Sequence, residues 1–130
     1  MAISEFRVAL TTQNFERATR FYKDGLGLDP GELWTGNGKG QIFWAGRAAL
    51  EIFDPAYASG VDQIEVGNQI SGQIRFAFQV KDIQSALERA LKYGGMLING
   101  PLLTPWNDLI VRIQSPDGLQ ITLFQVTRDK

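Results

Sequence analysis

Polar and apolar positions alternate along residues 3–10. Phe6, Val8 and Leu10 fall on one face, and Glu5, Arg7 and Ala9 on the other. A period of two predicts a half-buried strand. Asn14 is a good helix N-cap. Phe15, Ala18, Phe21 and Tyr22 then recur at helical spacing, and Gly25 predicts the stop. Short strands are predicted over 32–35, 41–45 and 48–53. A glycine-rich hairpin at 36–40 joins the first two, and Gly46-Arg47 the next two. It lacks the following helix that a phosphate loop requires.

The order then recurs. Residues 74–80 predict a strand, and Asp82 caps a helix with Ile83, Ala86, Leu87, Ala90 and Leu91 on one stripe. Gly94-Gly95 ends it, and strands are predicted over 96–99, 109–114 and 119–126. Displaced by about 68 positions, Arg7 overlies Arg75, Ala9 overlies Ala77, and Asn14 overlies Asp82. The chain therefore reads as one α+β domain over 1–130. It comprises a βαβββ module at 3–55, a connector at 56–72 and a second βαβββ module at 73–127. Residues 56–71 show no clear periodicity and predict at most a helical turn or a short strand. Asp54-Pro55 reads as a turn and cap.

Alternation also sorts the strands into two faces, since a one-residue slip would exchange them. Phe6, Val8, Leu10, Leu50, Ile52, Phe76, Phe78, Ile121 and Leu123 suit a face covered by helices. The opposite face carries Glu5, Arg7, Ala9, Glu51, Phe53, Arg75, Ala77, Ile110, Arg112, Thr122 and Phe124. Small residues, charges and two phenylalanines make the wall of a cleft rather than a dry core.

Composition narrows the chemistry. Hydrophobic residues make up 44% and charged residues 21%, with a net charge of −1. That is ordinary for a globular domain and gives no electrostatic case for nucleic acid or an anionic membrane. No apolar run approaches the roughly 20 residues of a membrane span, and residues 1–5 carry no leader signature, so a cytoplasmic protein is expected. Histidine and cysteine are absent. Disulfides and thiol chemistry are thereby excluded, and the usual ligands of zinc, copper and most iron sites are missing.

The segment from Asn14-Phe15-Glu16-Arg17-Ala18 through Phe21-Tyr22 and Leu26-Gly27-Leu28 resembles the vicinal-oxygen-chelate superfamily, which comprises glyoxalase, bleomycin-resistance and dioxygenase proteins. So do Leu50-Glu51-Ile52-Phe53, Phe76–Asp82, and the turn Ser115-Pro116-Asp117-Gly118 with Leu123-Phe124. The resemblance covers nearly the whole chain. It implies two βαβββ modules whose curved mixed sheets enclose a cleft, usually in a homodimer. Metal-dependent members hold their ion with residues of the first and last strands of each module, and the matching positions are Arg7, Glu51, Arg75 and Thr122. Only Glu51 is a ligand type, because guanidinium has no free lone pair. The resemblance therefore points to the metal-free, bleomycin-resistance-like branch, with no cofactor.

Arg7, Glu51 and Arg75 are expected to converge, either as a clamp for an anion or carbonyl or as an internal salt-bridge cluster. Two arginines against one carboxylate leave a positive charge over, unless Glu5 reaches in. That favours a neutral or anionic aromatic ligand. Trp34, Trp44 and Trp106, with Phe53 and Phe124, are the candidate aromatic walls, and Thr122 and Arg112 complete the candidate set. The expected function is sequestration of a small aromatic molecule. The alternative is a metal-free lyase or isomerase in which the arginine pair stabilises an oxyanion. Glu51 is expected to make a poor base there, since a neighbouring arginine depresses a carboxylate pKa.

Overall fold

The computed structural model describes residues 3–127; the ends of the 1–130 boundary lie outside them. Eight strands form one mixed sheet. They are β1 (Ile3–Thr11), β2 (Asp29–Trp34), β3 (Gly40–Ala45), β4 (Ala48–Phe53), β5 (Ile74–Val80), β6 (Met96–Leu103), β7 (Asp108–Gln114) and β8 (Gln120–Val126). Three α-helices accompany them: α1 (Phe15–Arg20), α2 (Pro55–Val66) and α3 (Ile83–Lys92). The strand order is β2-β3-β4-β1-β5-β8-β7-β6. Each half runs from its edge inward to its first strand, and the two first strands meet in the middle. β1 pairs parallel to β4, β5 pairs parallel to β8, and β1 and β5 are antiparallel. The two predicted modules thus join within one chain, and one chain supplies both walls of the cleft.

The predicted faces explain the packing. On the helix side of the second module, Ile83 and Leu87 of α3 pack on Val80, Val111, Ile113 and Leu123, all buried. The first module is covered more thinly. No residue of α1 is buried, and Phe6, stacked on Phe78 at 4.9 Å, stays 40% exposed. The helix predicted to run to Asp24 remains α-helical only to Arg20. From Phe21 to Gly25 the turn widens to a π-helix. Leu26 and Leu28 then donate their N–H groups to the carbonyls of Phe21 and Tyr22.

Two further expectations change. The strand predicted over 96–99 continues to Leu103 through register shifts beside Gly100-Pro101. β6 is a sheet edge, where proline's missing N–H costs no ladder bond. The larger correction concerns the connector. It holds a 12-residue helix, α2. The Asp54 side chain caps it by accepting the Tyr57 N–H at 2.8 Å, Pro55 opens it, and Gly67 closes it in the left-handed conformation at φ 78°. These are ordinary start and stop signals. They were obscured because the inward face of α2 is polar: its buried residues are Ala58, Asp62 and Glu65. Among the described residues no helix is long and apolar enough to cross a membrane.

Candidate functional site

The seam between β1 and β5 sets out the centre of the site. Arg7 lies opposite Ala77, and Ala9 opposite Arg75. Each guanidinium therefore has an alanine across from it and room to extend. Glu51 stands beside Ala9 on β4, and Thr122 beside Ala77 on β8. All six point to the same side of the sheet, as the alternation requires. They floor a cavity of about 520 Å³ whose walls include Trp34, Phe53, Tyr57, Trp106 and Phe124.

Eight of the ten residues singled out in the sequence line this cavity: Arg7, Trp34, Glu51, Phe53, Arg75, Trp106, Thr122 and Phe124. Trp44 and Arg112 do not. Trp44 shares the concave face but packs over Gly31, where a Cβ would stand 3.0 Å from its Nε1. Arg112 is fully buried behind the cavity wall. Glu32, Tyr57, Val61, Glu65 and Asp108 line the cavity without having been anticipated. Three of these come from α2, and its start and stop signals, Asp54-Pro55 and Gly67, are what would have found them.

Of the two forms expected for Arg7, Glu51 and Arg75, the structure has the internal salt-bridge cluster, with Glu5 reaching in, but Arg75 is paired outside it. Arg7 pairs with Glu5 through Nε and with Glu51 at 3.3 Å through Nη1. Arg75 instead turns to α2, where its Nη1 donates to Asp62 at 2.6 Å. Arg112 bridges Asp62 at 3.1 Å and Glu65 at 2.8 Å. Asp62 also accepts the Ser71 N–H at 2.9 Å and the Ser71 hydroxyl at 2.7 Å. Thr122 donates its hydroxyl to Glu65 at 2.6 Å. The surplus positive charge inferred from two arginines and one carboxylate is therefore absent. Glu5, Glu51, Asp62 and Glu65 face Arg7, Arg75 and Arg112, four carboxylates against three guanidiniums. Every buried side-chain nitrogen and oxygen among the described residues has a hydrogen-bond partner.

These surroundings shift the acids in opposite directions. Burial pushes the Glu51 carboxyl above its ordinary pKa, and Arg7 only partly offsets it. The depressed pKa expected from an arginine neighbour does not occur, because loss of solvent outweighs one shared guanidinium. Burial acts on Asp62 in the same sense. There the hydrogen bonds from Ser71, together with Arg75 and Arg112, prevail and hold the carboxyl below the ordinary range. Arg75 is itself lowered by burial, although Asp62 opposes this. The Tyr57 phenol is pushed up to about 12 by burial and by the charges of Glu51 and Glu32, so it remains a neutral donor.

The positions that match metal ligands in the resembling family do not fit a cation. Arg7 and Arg75 offer no lone pair, Thr122 is committed to Glu65, and Glu51 shares Arg7 with Glu5. Among the described residues no group of three His, Cys, Asp or Glu side chains is placed to hold a metal ion. What the arrangement offers is a concave aromatic wall over a self-paired floor of charges, with cation–π contacts from Arg7 to Phe124 at 5.4 Å and from Arg75 to Phe53 at 5.1 Å.

Comparison with known proteins bears on the fold and the family. A hypothetical protein from Bacillus halodurans C-125 is similar with a TM-score of 0.73 at 14% identity, covering 100% of this chain and 99% of that one. A glyoxalase/bleomycin resistance protein/dioxygenase superfamily member from Vibrio splendidus 12B01 gives 0.69 at 12% identity, covering 95% and 98%. Methylmalonyl-CoA epimerase from Mycobacterium tuberculosis gives 0.64 at 17% identity, covering 98% and 89%. A search of curated proteins found no match. The family model described as Glyoxalase/Bleomycin resistance protein/Dioxygenase superfamily matches residues 6–123. With that match spanning nearly the whole chain, and with a fold of two βαβββ halves around one cleft, the protein belongs to the glyoxalase/bleomycin resistance protein/dioxygenase superfamily.

Proposed function

We propose that the chain binds a planar aromatic small molecule in the cleft between its halves and acts by holding it, in the manner of the bleomycin-resistance type, without a metal. The supporting observation is the cavity itself. Its volume of about 520 Å³ lies within the range of small-molecule sites, and six aromatic residues, Phe76 among them, line it. Aromatic pairs add about 0.5–1.5 kcal/mol beyond burial of area, so such walls favour flat rings. The guanidiniums are engaged by carboxylates of the same chain, which makes them a floor rather than open anion forks. A thermal-shift screen against aromatic natural products, phenolic acids and divalent metals tests this. A ligand present at 100 times its Kd stabilises the fold by about 2.7 kcal/mol. Stabilisation by an aromatic compound, saturating at one molecule per chain, supports the reading. A shift with divalent metals and none with any aromatic compound counts against it.

One observation favours a second reading, a metal-free isomerase or lyase. Glu51 lines the cavity with its pKa raised by burial, beside Arg7, and can hold a proton or give one up nearer neutrality than an ordinary carboxylate. Proton transfer at carbon predicts deuterium wash-in detectable by NMR in deuterium oxide. Methylmalonyl-CoA, the compound named for several solved neighbours, is the first substrate to try. A base needs its carboxylate form, so the exchange rate should rise with pH through a value above the ordinary carboxylate range. Glu51→Gln should abolish exchange, and exchange that persists in that variant removes Glu51 from the role.

A further inference from the structure

The cleft is not uniform. At the end where α2 approaches β2, Trp34 and Tyr57 lie nearly parallel, with centroids 6.0 Å apart and planes 18° apart, and Phe53 leans on Tyr57 at 4.9 Å. Two carboxylates, Glu51 and Glu32, act electrostatically on the Tyr57 hydroxyl, and Arg75 opposes them more weakly. Glu32 lies exposed at the mouth and has no ion-pair partner among the described residues. Glu51 is 9% exposed and divides a single guanidinium, Arg7, with Glu5. Arg75 leans over Phe53 in the same region, but its charge is taken up by Asp62. This end of the cavity thus combines aromatic faces, which carry negative potential, with carboxylate charge that Arg7 and Arg75, both shared with other acids, only partly balance.

We propose that this end of the cleft is a recognition site for an organic cation carried on a planar ring, the ring lying against Trp34 and Tyr57 and the cationic group between Glu32 and Glu51. The site rests on the small-molecule-binding reading above and adds the sign of the ligand's charge. That sign is opposite to the one suggested by counting only the strand arginines. An ammonium or amidinium group supplies the positive charge that Glu51 lacks, and its N–H donors match acceptor-only carboxylates. An anionic group entering the same place meets two carboxylates and finds no guanidinium free of a partner.

Three acridines of one shape test this: 9-aminoacridine, a cation at pH 7.5, neutral acridine, and acridine-9-carboxylate, an anion. Each is titrated into the full chain by fluorescence anisotropy. The expected order is 9-aminoacridine tighter than acridine by about tenfold or more, with the carboxylate weakest. Glu32→Gln should reduce the preference for 9-aminoacridine over acridine while leaving acridine binding in place. Glu88→Gln, on the outer face of α3, should leave the preference unchanged and so exclude an effect of overall charge. Trp34→Ala should weaken all three. If the carboxylate binds as tightly as the amine, or if Glu32→Gln leaves the preference intact, the cation site is overturned while binding of flat rings stands. If none of the three binds, both readings fail together.

Discussion

At the scale of single residues, Asp62 carries the most weight. It is 1% exposed and accepts from Ser71, Arg75 and Arg112 at once. Removing one partner of a buried charge network leaves the others uncompensated, at a cost of about 3–5 kcal/mol. Asp62→Asn keeps the shape and removes the charge, so urea unfolding at pH 7 should show a loss of that size. A loss below about 1 kcal/mol would mean that the network is not what fastens α2. The sign with pH follows from the lowered pKa. The folded-state value lies below the unfolded one, so the stability that Asp62 contributes is present above the ordinary carboxylate pKa. It is lost as pH falls through the folded-state value. The gap between the wild-type chain and Asp62→Asn should therefore narrow in acid.

At the scale of elements, α2 decides what the cleft contains. Its N-terminus is tied down by Asp54, which accepts the N–H groups of Tyr57 at 2.8 Å and Lys39 at 2.9 Å. Asp54→Ala should cost about 1 kcal/mol as a lost cap, measured by thermal unfolding. It should also weaken binding of any ligand that touches Tyr57, and a variant that loses stability but binds normally would separate the cap from the site. Much of this architecture could be read from the chain. Period-two alternation placed Arg7, Glu51, Arg75, Thr122 and the two phenylalanines on one face, because a strand has only two faces to offer. The helix α2 could not be found the same way. Its inward side carries Asp62 and Glu65, and a search for apolar spacing passes over a helix whose buried face is charged. Consequently the arginines were visible, with Glu5 and Glu51 beside them, but the α2 acids that pair Arg75 and Arg112 were not, and the charge count left Asp62 and Glu65 out. Trp44 fails for another reason. Parity gives a side chain its face, but its place along that face depends on neighbours such as Gly31.

At the scale of the whole molecule, the two halves share a plan but are unequally filled. The large apolar cluster beneath α3 belongs almost entirely to the second half, whereas α1 buries none of its own residues. This asymmetry has a kinetic consequence. A half that owns its core can condense on contacts of modest sequence separation. The first half has no such cluster under its helix, and its first strand, β1, pairs with β5 across the middle of the sheet. The chain should therefore fold from its C-terminal half, with the N-terminal half adding on afterwards. Leu87→Ala, which opens the α3 cluster at a cost of about 2–5 kcal/mol, should then mainly slow folding. Ile52→Val in β4 should mainly speed unfolding. Equal behaviour of the two in stopped-flow chevrons would show that the halves condense together. If the order holds, the cleft is the last part of the molecule to form and the first to come apart, and a bound ligand would act chiefly as a brake on unfolding.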